Sequence, residues 1–233
     1  MSDYDLVAEA YAADNETSYA NALYERPATL ALAGDVAGRR ILDAGCGAGP
    51  LFAALRERGA VVSGIDVSAG MLEQARRRLG SDADLRIADL AGPLPFADAE
   101  FDDVVASLVL HYLEDWGPTL AEVRRVLRPG GRLIVSVNHP TAAYCDERLA
   151  GRRPDYFSTW PSPARWPVGD RMVEVTFWNR PLHAMTDAFT AAGFGISRIS
   201  EPQPLPQARE LFPAEFAHYA GAPNFLFLVL QAG

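Results

Sequence analysis

The chain has 233 residues, of which 49% are hydrophobic and 22% are charged, and its formal net charge at pH 7 is −9. This length and composition are typical of one globular domain that buries its own hydrophobic core. The negative charge argues against nucleic acid as the main partner, because phosphate groups would repel the protein at long range.

Cysteine usage and hydropathy bear on the compartment. The two cysteines, Cys46 and Cys145, have neither a paired nor a metal-ligand spacing, which favours a reducing compartment and predicts no metal site. No apolar run reaches the ~18 residues of a membrane span, and the acidic N-terminal segment lacks the basic and apolar regions of a signal peptide. We therefore expect a soluble, cytoplasmic protein that does not associate with membranes.

The first part of the chain predicts an α/β fold. Residues 1–35 are expected to form a helical cap, with helix over 3–33 and Pro27 at the start of a second helix. From residue 36 to 138, apolar strands alternate with amphipathic helices, as in a parallel sheet covered on both faces. The strands are expected at 40–43, 61–66, 85–88, 101–108 and 133–137, the helices at 50–58, 68–80 and 118–127, and a turn at 129–131. Right-handed crossovers then favour a Rossmann-like, doubly wound sheet.

Residues 139–171 break this pattern and carry a cluster of aromatic residues and prolines. The aromatic residues are Tyr144, Tyr156, Phe157, Trp160 and Trp166. Irregular stretches longer than about 15 residues are uncommon inside a compact domain and are usually functional, so we predict a substrate lid. The rings are expected either to stack on a flat or apolar substrate or to hold the lid shut as a small apolar core. Residues 172–233 are expected to complete the sheet, with strands at 172–178, 196–199 and 225–230 and a helix at 181–192.

A glycine-rich turn follows the first predicted strand and opens the next helix. Its sequence is Asp43-Ala44-Gly45-Cys46-Gly47-Ala48-Gly49. Glycines here permit a tight turn and a close approach of the backbone to a ligand. A dinucleotide-binding turn has the spacing G-x-G-x-x-G, whereas the third glycine of this chain comes one residue early. Asp43 would repel a pyrophosphate but suits an ammonium group, such as that of S-adenosylmethionine; the alternative is that it caps the following turn.

Two further acids follow the next two strands. Asp66 ends the second strand, about 20 residues after the glycine turn, where an acid binds ribose hydroxyls. Asp89 follows the third strand and is placed to accept a hydrogen bond from an adenine amino group. The alternatives are a helix N-terminal acid at Asp66 and an ordinary turn residue at Asp89. Because the carboxyl ends of parallel strands share one edge of the sheet, Asp43 and these two acids together predict a ligand site there.

Five segments resemble the class I S-adenosylmethionine-dependent methyltransferases, in the group that includes enzymes of ubiquinone and menaquinone biosynthesis and small actinobacterial-type members. They are ILDAGCGAG at residues 41–49, GIDVS at 64–68, ADL at 88–90, FDDVV at 101–105 and LRPGGRL at 127–133. The resemblance is continuous over residues 36–139 and weaker on either side. It implies a seven-stranded sheet with an antiparallel last strand, and S-adenosylmethionine as the cofactor.

The resemblance also implies a set of cofactor-binding residues. Asp43, Ala44, Gly45, Cys46, Gly47 and Gly49 would surround the methionine moiety, Asp66 the ribose, Asp89 and Leu90 the adenine, Val67 and Met71 the adenosine, Ser107 the sulfonium, and Tyr11 and Tyr24 the carboxylate or sulfonium. The alternative for the two tyrosines is plain helix packing.

Methyl transfer from a sulfonium requires alignment of the acceptor with the methyl group and, for some acceptors, removal of a proton. His111 follows the fourth strand and is the first candidate base, because imidazole titrates near neutral pH. The alternative is a structural histidine hydrogen-bonded across the pocket. Tyr112 would share the role of base or line the pocket. His139, after the fifth strand, is a second candidate base, an acceptor-pocket residue or a turn residue.

The predicted function is transfer of a methyl group from S-adenosylmethionine to a small-molecule acceptor, giving S-adenosylhomocysteine, with the acceptor atom (oxygen, nitrogen or carbon) left open. One alternative is a non-catalytic S-adenosylmethionine-binding protein. Another is an NAD-dependent oxidoreductase, against which Asp43 and the early third glycine count. The acidic charge disfavours RNA or protein as substrate, as does Ser107-Leu108-Val109-Leu110 where many amino-group methyltransferases carry Asn/Asp-Pro-Pro-Tyr/Phe. The sequence predicts no oligomeric state.

Overall fold

A computed structural model describes residues 7–169, 171–219 and 221–233. Within these residues the chain forms nine strands. They are β1 Arg40–Ala44, β2 Val61–Asp66, β3 Asp84–Ile87, β4 Phe101–Ser107, β5 Leu127–Asn138, β6 Trp160–Val168, β7 Arg171–Asn179, β8 Phe194–Ser200 and β9 Phe225–Ala232. The turn predicted at 129–131 lies inside β5, where the pairing with β4 is irregular between Phe101 and Asp103.

Seven of these strands form the main sheet, in the order β3-β2-β1-β4-β5-β9-β8. The first five run parallel to their neighbours, and β9 runs antiparallel to both β5 and β8. The chain reverses its winding direction between β1 and β4, and open α/β sheets bind ligands outside the carboxyl ends of the strands at such a point. The predicted seven-stranded sheet with an antiparallel last strand is confirmed.

Helices cover both faces of the main sheet. They are α1 Ala8–Thr17, α2 Arg26–Ala33, α3 Pro50–Glu57, α4 Ala69–Leu79, α5 Gly117–Val126, α6 Pro140–Leu149, α7 Leu182–Ala191, α8 Ala208–Leu211 and α9 Pro213–Tyr219, with a π-helical turn at Asn21–Glu25 and a 3₁₀ turn at Leu110–Tyr112. In the part of the chain that the structure describes, no helix has the length and apolar character needed to cross a membrane.

Apolar side chains of the central strands alternate between two cores on opposite faces of the sheet. Leu42 and Val104 pack on one face with residues of α5 and α7. Their chain neighbours Ile41 and Val105 pack on the other face with residues of α2, α3 and α4. This period of two explains why the strands read as continuous apolar runs, since both faces are buried.

The N-terminal cap is helical but interrupted. α1 ends at Thr17, the following Ser18 has an extended backbone, and the π-helical turn Asn21–Glu25 runs directly into α2. Pro27 lies in the first turn of α2, as predicted, directly after the π-helical turn. Residues 3–6 of the predicted helix lie outside the described residues.

The predicted irregular stretch 139–171 contains regular structure, which corrects the sequence analysis. It begins with α6, and β6 pairs with β7 along its length in a separate two-stranded sheet. The strand predicted at 172–178 is therefore part of this hairpin and not of the main sheet. Pro161, Pro163 and Pro167 occupy alternate positions of β6, so all three ring nitrogens lie on the same edge, which is where a strand tolerates proline. The side chain of Trp166 lies outside the described residues.

Candidate active site

The carboxyl ends of β1, β2 and β4 open into a cavity of about 620 Å³, within the ~300–1,000 Å³ range of small-molecule sites. The cavity is closed by the N-terminal cap on one side and by Val175 and Thr176 of the β6–β7 hairpin on another. Of the predicted cofactor-binding residues, the lining includes Tyr11, Asp43, Gly45, Cys46, Gly47, Asp66, Val67, Met71, Asp89, Leu90 and Ser107.

The glycine turn holds its shape through backbone hydrogen bonds and positive φ angles. The N–H groups of Gly45 and Cys46 donate to the carbonyl oxygen of Ile65 at 2.8 and 2.9 Å, which ties the turn to β2. Gly45 has a φ of 81°, and a Cβ there would lie 2.5 Å from Val109 Cγ2. Gly47 has a φ of 55°, and nothing lies within 4 Å of its Cβ position. Gly45 therefore permits close packing, whereas Gly47 leaves the backbone open to the cavity.

Asp43 presents an unpaired carboxyl oxygen at the floor of the cavity. Its side chain is buried, and no hydrogen-bond partner for Oδ2 is found among the described residues. Burial raises the pKa of Asp43 to about 8, and the charges of Glu25 and Asp66 act in the same direction, against one backbone hydrogen bond from Phe52. A buried oxygen without a donor is costly, so this site is complementary to a cationic donor such as an ammonium group.

Asp66 and Asp89 are held by backbone N–H groups at the cavity wall. Asp66 Oδ2 accepts from the N–H of Gly47 at 2.9 Å, and its Oδ1 accepts from Ser68 at 2.8 Å. Asp89 Oδ1 accepts from the N–H of Ala91 at 2.9 Å. Each carboxylate oxygen can accept more than one hydrogen bond, so both side chains are oriented and still able to bind hydroxyl or amino groups.

Glu25 is a cavity residue that the sequence analysis did not identify. Its side chain is buried, and Oε1 accepts from the hydroxyl groups of Thr29, Ser107 and Ser136 at 2.7, 2.7 and 2.6 Å. The resemblance pointed to its neighbour Tyr24, and the sequence did not show which of the two side chains turns inward. The π-helical turn that ends at Glu25 sets that direction.

Arg26 is a second residue that the sequence analysis missed. It lines the cavity, and its Nη2 donates to the backbone carbonyl and the side-chain Oδ1 of Asn15 at 2.7 and 2.8 Å. Burial lowers the pKa of Arg26, with Glu16 and Glu25 opposing that change. Among the described residues that line the cavity, Arg26 is the one cationic side chain, beside four acidic ones. Its guanidinium is suited to bind a carboxylate of the ligand.

Three of the predicted cofactor-binding residues do not line the cavity. Tyr24 is buried against Phe225 and Phe227, with ring centroids 5.1 and 6.5 Å away, in a cluster with the C-terminal part of the chain. Its proposed contact with the cofactor is therefore corrected to helix packing. Ala44 faces the core, and Gly49 is the N-cap of α3 packed against α4.

The two candidate histidine bases also lie outside the cavity lining. His111 is buried, packs on the edge of the Phe177 ring with centroids 4.8 Å apart, and accepts from the N–H of Asn138 at 3.4 Å. Burial lowers the pKa of His111 to about 3. His139 caps α6, because its Nδ1 accepts from the N–H of Thr141 at 3.2 Å. This geometry favours a structural role for both histidines over the predicted role as base.

His139 is held at its second nitrogen as well. Its Nε2 lies 2.8 Å from Glu201 Oε1, so neither ring nitrogen faces the cavity. Tyr112 is the predicted catalytic residue that does line the cavity, at the end of the 3₁₀ turn after β4. If the acceptor must lose a proton, Tyr112 is therefore better placed to take it than either histidine.

Comparison with known proteins identifies the fold and the motif region. Residues 42–135 match the methyltransferase-domain family. A demethylmenaquinone methyltransferase of Clavibacter sepedonicus is 41% identical over 134 residues, which are 57% of this chain and 55% of that protein. A ubiquinone/menaquinone biosynthesis C-methyltransferase of Desulfotalea psychrophila is 41% identical over 117 residues, or 48% of this chain and 47% of that protein. The chain thus spans about half the length of these curated relatives.

The similarity to a solved structure extends over more of the chain. The crystal structure of an S-adenosylmethionine-dependent methyltransferase from Mesorhizobium loti has a TM-score of 0.67 and 29% sequence identity. It covers 88% of this chain, and the match includes 96% of that protein. These matches support a class I S-adenosylmethionine-dependent methyltransferase with S-adenosylmethionine as the cofactor, and the family match itself covers residues 42–135.

Proposed function

We propose that this protein transfers the methyl group of S-adenosylmethionine to a small, flat, largely apolar acceptor of the quinol type, and releases S-adenosylhomocysteine. The observation that carries the proposal is the buried Asp43 Oδ2 without a hydrogen-bond donor, at the floor of a cavity bounded by the glycine turn. An ammonium group supplies hydrogen-bond donors and a positive charge that favours the ionised form of Asp43, whereas the pyrophosphate of NAD supplies neither.

The other cavity residues fit the remaining parts of the cofactor. Asp66 and Asp89 are oriented by backbone N–H groups and can accept from ribose hydroxyls and an adenine amino group. Gly47 has no side chain to fill the space beside the turn. Arg26 is placed to pair with a carboxylate, since a guanidinium binds carboxylates through two parallel hydrogen bonds.

Quinol-type acceptors are favoured by the apolar walls at one end of the cavity. Leu108, Val109 and Leu113, after β4, line it together with Val175 of β7. Apolar lining with a few convergent polar groups is typical of sites for small organic ligands. The names of the two curated relatives, a demethylmenaquinone and a ubiquinone/menaquinone methyltransferase, point to the same class. We therefore put a ring carbon first and a ring hydroxyl second as the acceptor atom.

The chain's contribution to the reaction is alignment and exclusion of water. When bound, S-adenosylmethionine supplies a methyl group that its sulfonium has already activated. We assign to α6 and the β6–β7 hairpin the role of a lid, because Val175 and Thr176 close the cavity over the segment 108–113. Tyr112 lies in that segment and is our candidate for holding or accepting the acceptor's proton. Placing the acceptor next to the methyl group supplies most of the remaining rate enhancement.

The cytoplasm is our proposed place of action. Cys46 is a free, buried cysteine and Cys145 is a free, exposed one. An exposed thiol keeps its reduced form best in a compartment with a reducing thiol pool. The expectation that nucleic acid is not a substrate stays a prediction from the net charge of −9.

The decisive experiment is titration calorimetry of the purified protein with S-adenosylmethionine and, separately, NAD. We expect micromolar binding of S-adenosylmethionine, no binding of NAD, and at least about a hundredfold weaker binding of S-adenosylmethionine in Asp43→Asn, since a buried charge pair is lost. Asp187→Asn, at an exposed acid on α7, is the matched control and should bind as the wild type does. Binding of NAD, or of neither ligand, would contradict the proposal.

The acceptor class is tested in a second step with short-chain 1,4-naphthoquinols. Mass spectrometry should show a gain of one methyl group that depends on S-adenosylmethionine and on Asp43. Cofactor binding without methyl transfer to any quinol, phenol or amine in such a panel would instead favour the non-catalytic alternative.

A further inference from the structure

The cavity carries more negative charge than the ammonium group of the cofactor requires. Its described lining contains the carboxylates of Glu25, Asp43, Asp66 and Asp89 and one guanidinium, that of Arg26. Asp66 already accepts backbone hydrogen bonds from Gly47 and Ser68, and Asp89 accepts one from Ala91. The proposed function assigns Asp66 and Asp89 to the ribose and the adenine, which leaves Asp43 and Glu25 to oppose positive charge on the ligand.

Glu25 is fixed more firmly than any role as a helix-surface acid would require. The three hydroxyl groups that donate to Oε1 come from three different elements: Thr29 from α2, Ser107 from the end of β4 and Ser136 from β5. Ser107 and Ser136 are direct neighbours across the sheet. All three hydrogen bonds fall on Oε1, so the second carboxyl oxygen, Oε2, is left for the cavity that Glu25 lines. Three hydroxyl donors supply what a carboxylate needs in a site without water.

Glu25 also lies close to Asp43. Of the charges that raise the pKa of Asp43, that of Glu25 acts more strongly than that of Asp66. Asp43 lies on β1 opposite Val105 of β4, and Ser107, which binds Glu25, lies two residues further along β4 toward the carboxyl edge. Glu25 is therefore the next acid along the cavity from the one assigned to the ammonium group.

The charges of the cofactor match these residues one to one. S-adenosylmethionine carries a carboxylate, an ammonium and a sulfonium. In the proposed function Arg26 pairs with the carboxylate and Asp43 pairs with the ammonium. The sulfonium of the ligand and Glu25 of the cavity are then left without a partner of opposite charge. We propose that Glu25 is the counter-ion of the sulfonium and makes the site select the methylated, cationic cofactor over the uncharged sulfur of its product. This inference rests on the proposed function.

Selection by charge follows from the chemistry of the two ligands. S-adenosylhomocysteine shares the ammonium, the carboxylate, the ribose and the adenine, but its sulfur is a neutral thioether. With the product bound, the buried Glu25 carboxylate has no cation to face, and an unpaired buried charge is costly. Glu25 would thus favour release of the product after each turnover, while Asp43 holds both ligands equally.

The test compares dissociation constants of three ligands for the wild type, Glu25→Gln and Asp43→Asn. The ligands are S-adenosylmethionine, S-adenosylhomocysteine and sinefungin, in which a carbon bearing an amine replaces the methylated sulfur and keeps the positive charge. Glu25→Gln retains an acceptor oxygen for the three hydroxyls but removes the charge. We expect it to weaken S-adenosylmethionine and sinefungin by about tenfold or more and S-adenosylhomocysteine by less than about threefold. Asp43→Asn should weaken all three alike.

Two further variants separate charge from packing. Ser136→Ala removes one hydroxyl donor and keeps the carboxylate, so the relative affinity for S-adenosylmethionine and its product should stay as in the wild type. Glu25→Asp retracts the charge and should shift that ratio in the same direction as Glu25→Gln but less, which keeps the test open if the glutamine variant unfolds.

The outcomes of these titrations distinguish failure of the inference about Glu25 from failure of the proposed function. Equal weakening of S-adenosylmethionine and its product in Glu25→Gln would overturn this inference alone, because Glu25 would then act on the groups that the two ligands share. A wild type that binds none of the three ligands would remove the proposed function and this inference together.

Discussion

At the scale of the residue, the protonation of Asp43 couples the cofactor site to pH. Its pKa is raised to about 8, chiefly by burial, so the ligand-free protein holds a proton there at neutral pH. The folded state then binds more protons at this position than the unfolded state does between the ordinary pKa of 3.8 and about 8. Stability of the ligand-free protein should therefore fall as the pH rises through that interval.

The same proton must leave when an ammonium group binds. We predict that binding of S-adenosylmethionine releases about one proton between pH 6 and 7.5 and strengthens about tenfold per pH unit. Calorimetry in buffers of different ionisation enthalpy measures the proton, and the dissociation constant at each pH measures the slope. A flat pH dependence with no proton released would show that Asp43 is already ionised in the ligand-free protein.

His111 provides the opposite case, a buried base that stays neutral. Burial lowers its pKa from 6.5 to about 3, so its contribution to stability is complete above pH 6.5 and is lost as the pH falls toward 3. We predict that the ring signals of His111 in a ¹H–¹³C spectrum do not move between pH 5.5 and 9, with His111→Gln used for assignment. A midpoint near 6.5 would restore His111 as a candidate base.

The residues that sequence reasoning found are those whose position follows from local pattern. Asp43, Asp66 and Asp89 come at the ends of strands, and every parallel strand end meets the same edge of the sheet. Tyr24 and Glu25 are adjacent in the cap, and the sequence predicted the wrong one to face the cavity. A π-helical turn contains an extra residue, which rotates the following side chains relative to an α-helix, and no pattern in 21–27 announces it.

At the scale of the element, the prolines of residues 139–171 are the reason that this segment was wrongly predicted to be irregular. Pro161, Pro163 and Pro167 resemble loop residues in sequence, yet β6 has a free edge in its two-stranded sheet. A free edge needs no N–H from those positions, so proline does not exclude a strand there. The core strands were predicted correctly because they are buried on both faces. Such strands are continuous apolar runs, which the sequence shows without any knowledge of the fold.

Arg180 joins the hairpin to the cavity segment. It directly follows β7, its Nη2 donates to the carbonyl oxygens of Leu113 and Glu114 at 2.7 and 3.0 Å, and its guanidinium lies 4.2 Å from the Trp116 ring centroid. Burial lowers the pKa of Arg180 to about 10. A lysine in its place would keep a charge but lose the flat group that stacks and reaches two acceptors.

We therefore predict that Arg180→Lys lowers the free energy of unfolding by about 1–3 kcal/mol, measured by urea denaturation. The matched control is Arg148→Lys, at an exposed arginine of α6, which should stay within about 0.5 kcal/mol of the wild type. If the two variants were equally stable, the contacts of Arg180 with the segment 113–116 would contribute nothing measurable.

At the scale of the whole molecule, the cavity is assembled from parts far apart in the chain. The N-terminal cap contributes Tyr11, Glu25 and Arg26, the strand ends contribute the acids and the glycine turn, and the hairpin contributes Val175 and Thr176. The cap contacts the central sheet through α2 and through the hydrogen bonds of Glu25 with Ser107 and Ser136, and a bound cofactor would add further contacts between the cap and the sheet. Contacts that exist only in the folded, loaded state stabilise it by mass action.

The last prediction follows from this assembly. Saturation with S-adenosylmethionine should slow amide hydrogen exchange chiefly in the cap, residues 8–26, and in the glycine turn, while α7 and β8, which lie away from the cavity, exchange as before. At a hundredfold excess over the dissociation constant, the cofactor should also raise the unfolding free energy by about 2.7 kcal/mol. Asp43→Asn should lose both effects at the same concentration. Protection spread evenly over the chain, or absent from the cap, would mean that the cap does not close on the cofactor and that Arg26 and Glu25 have no part in holding it.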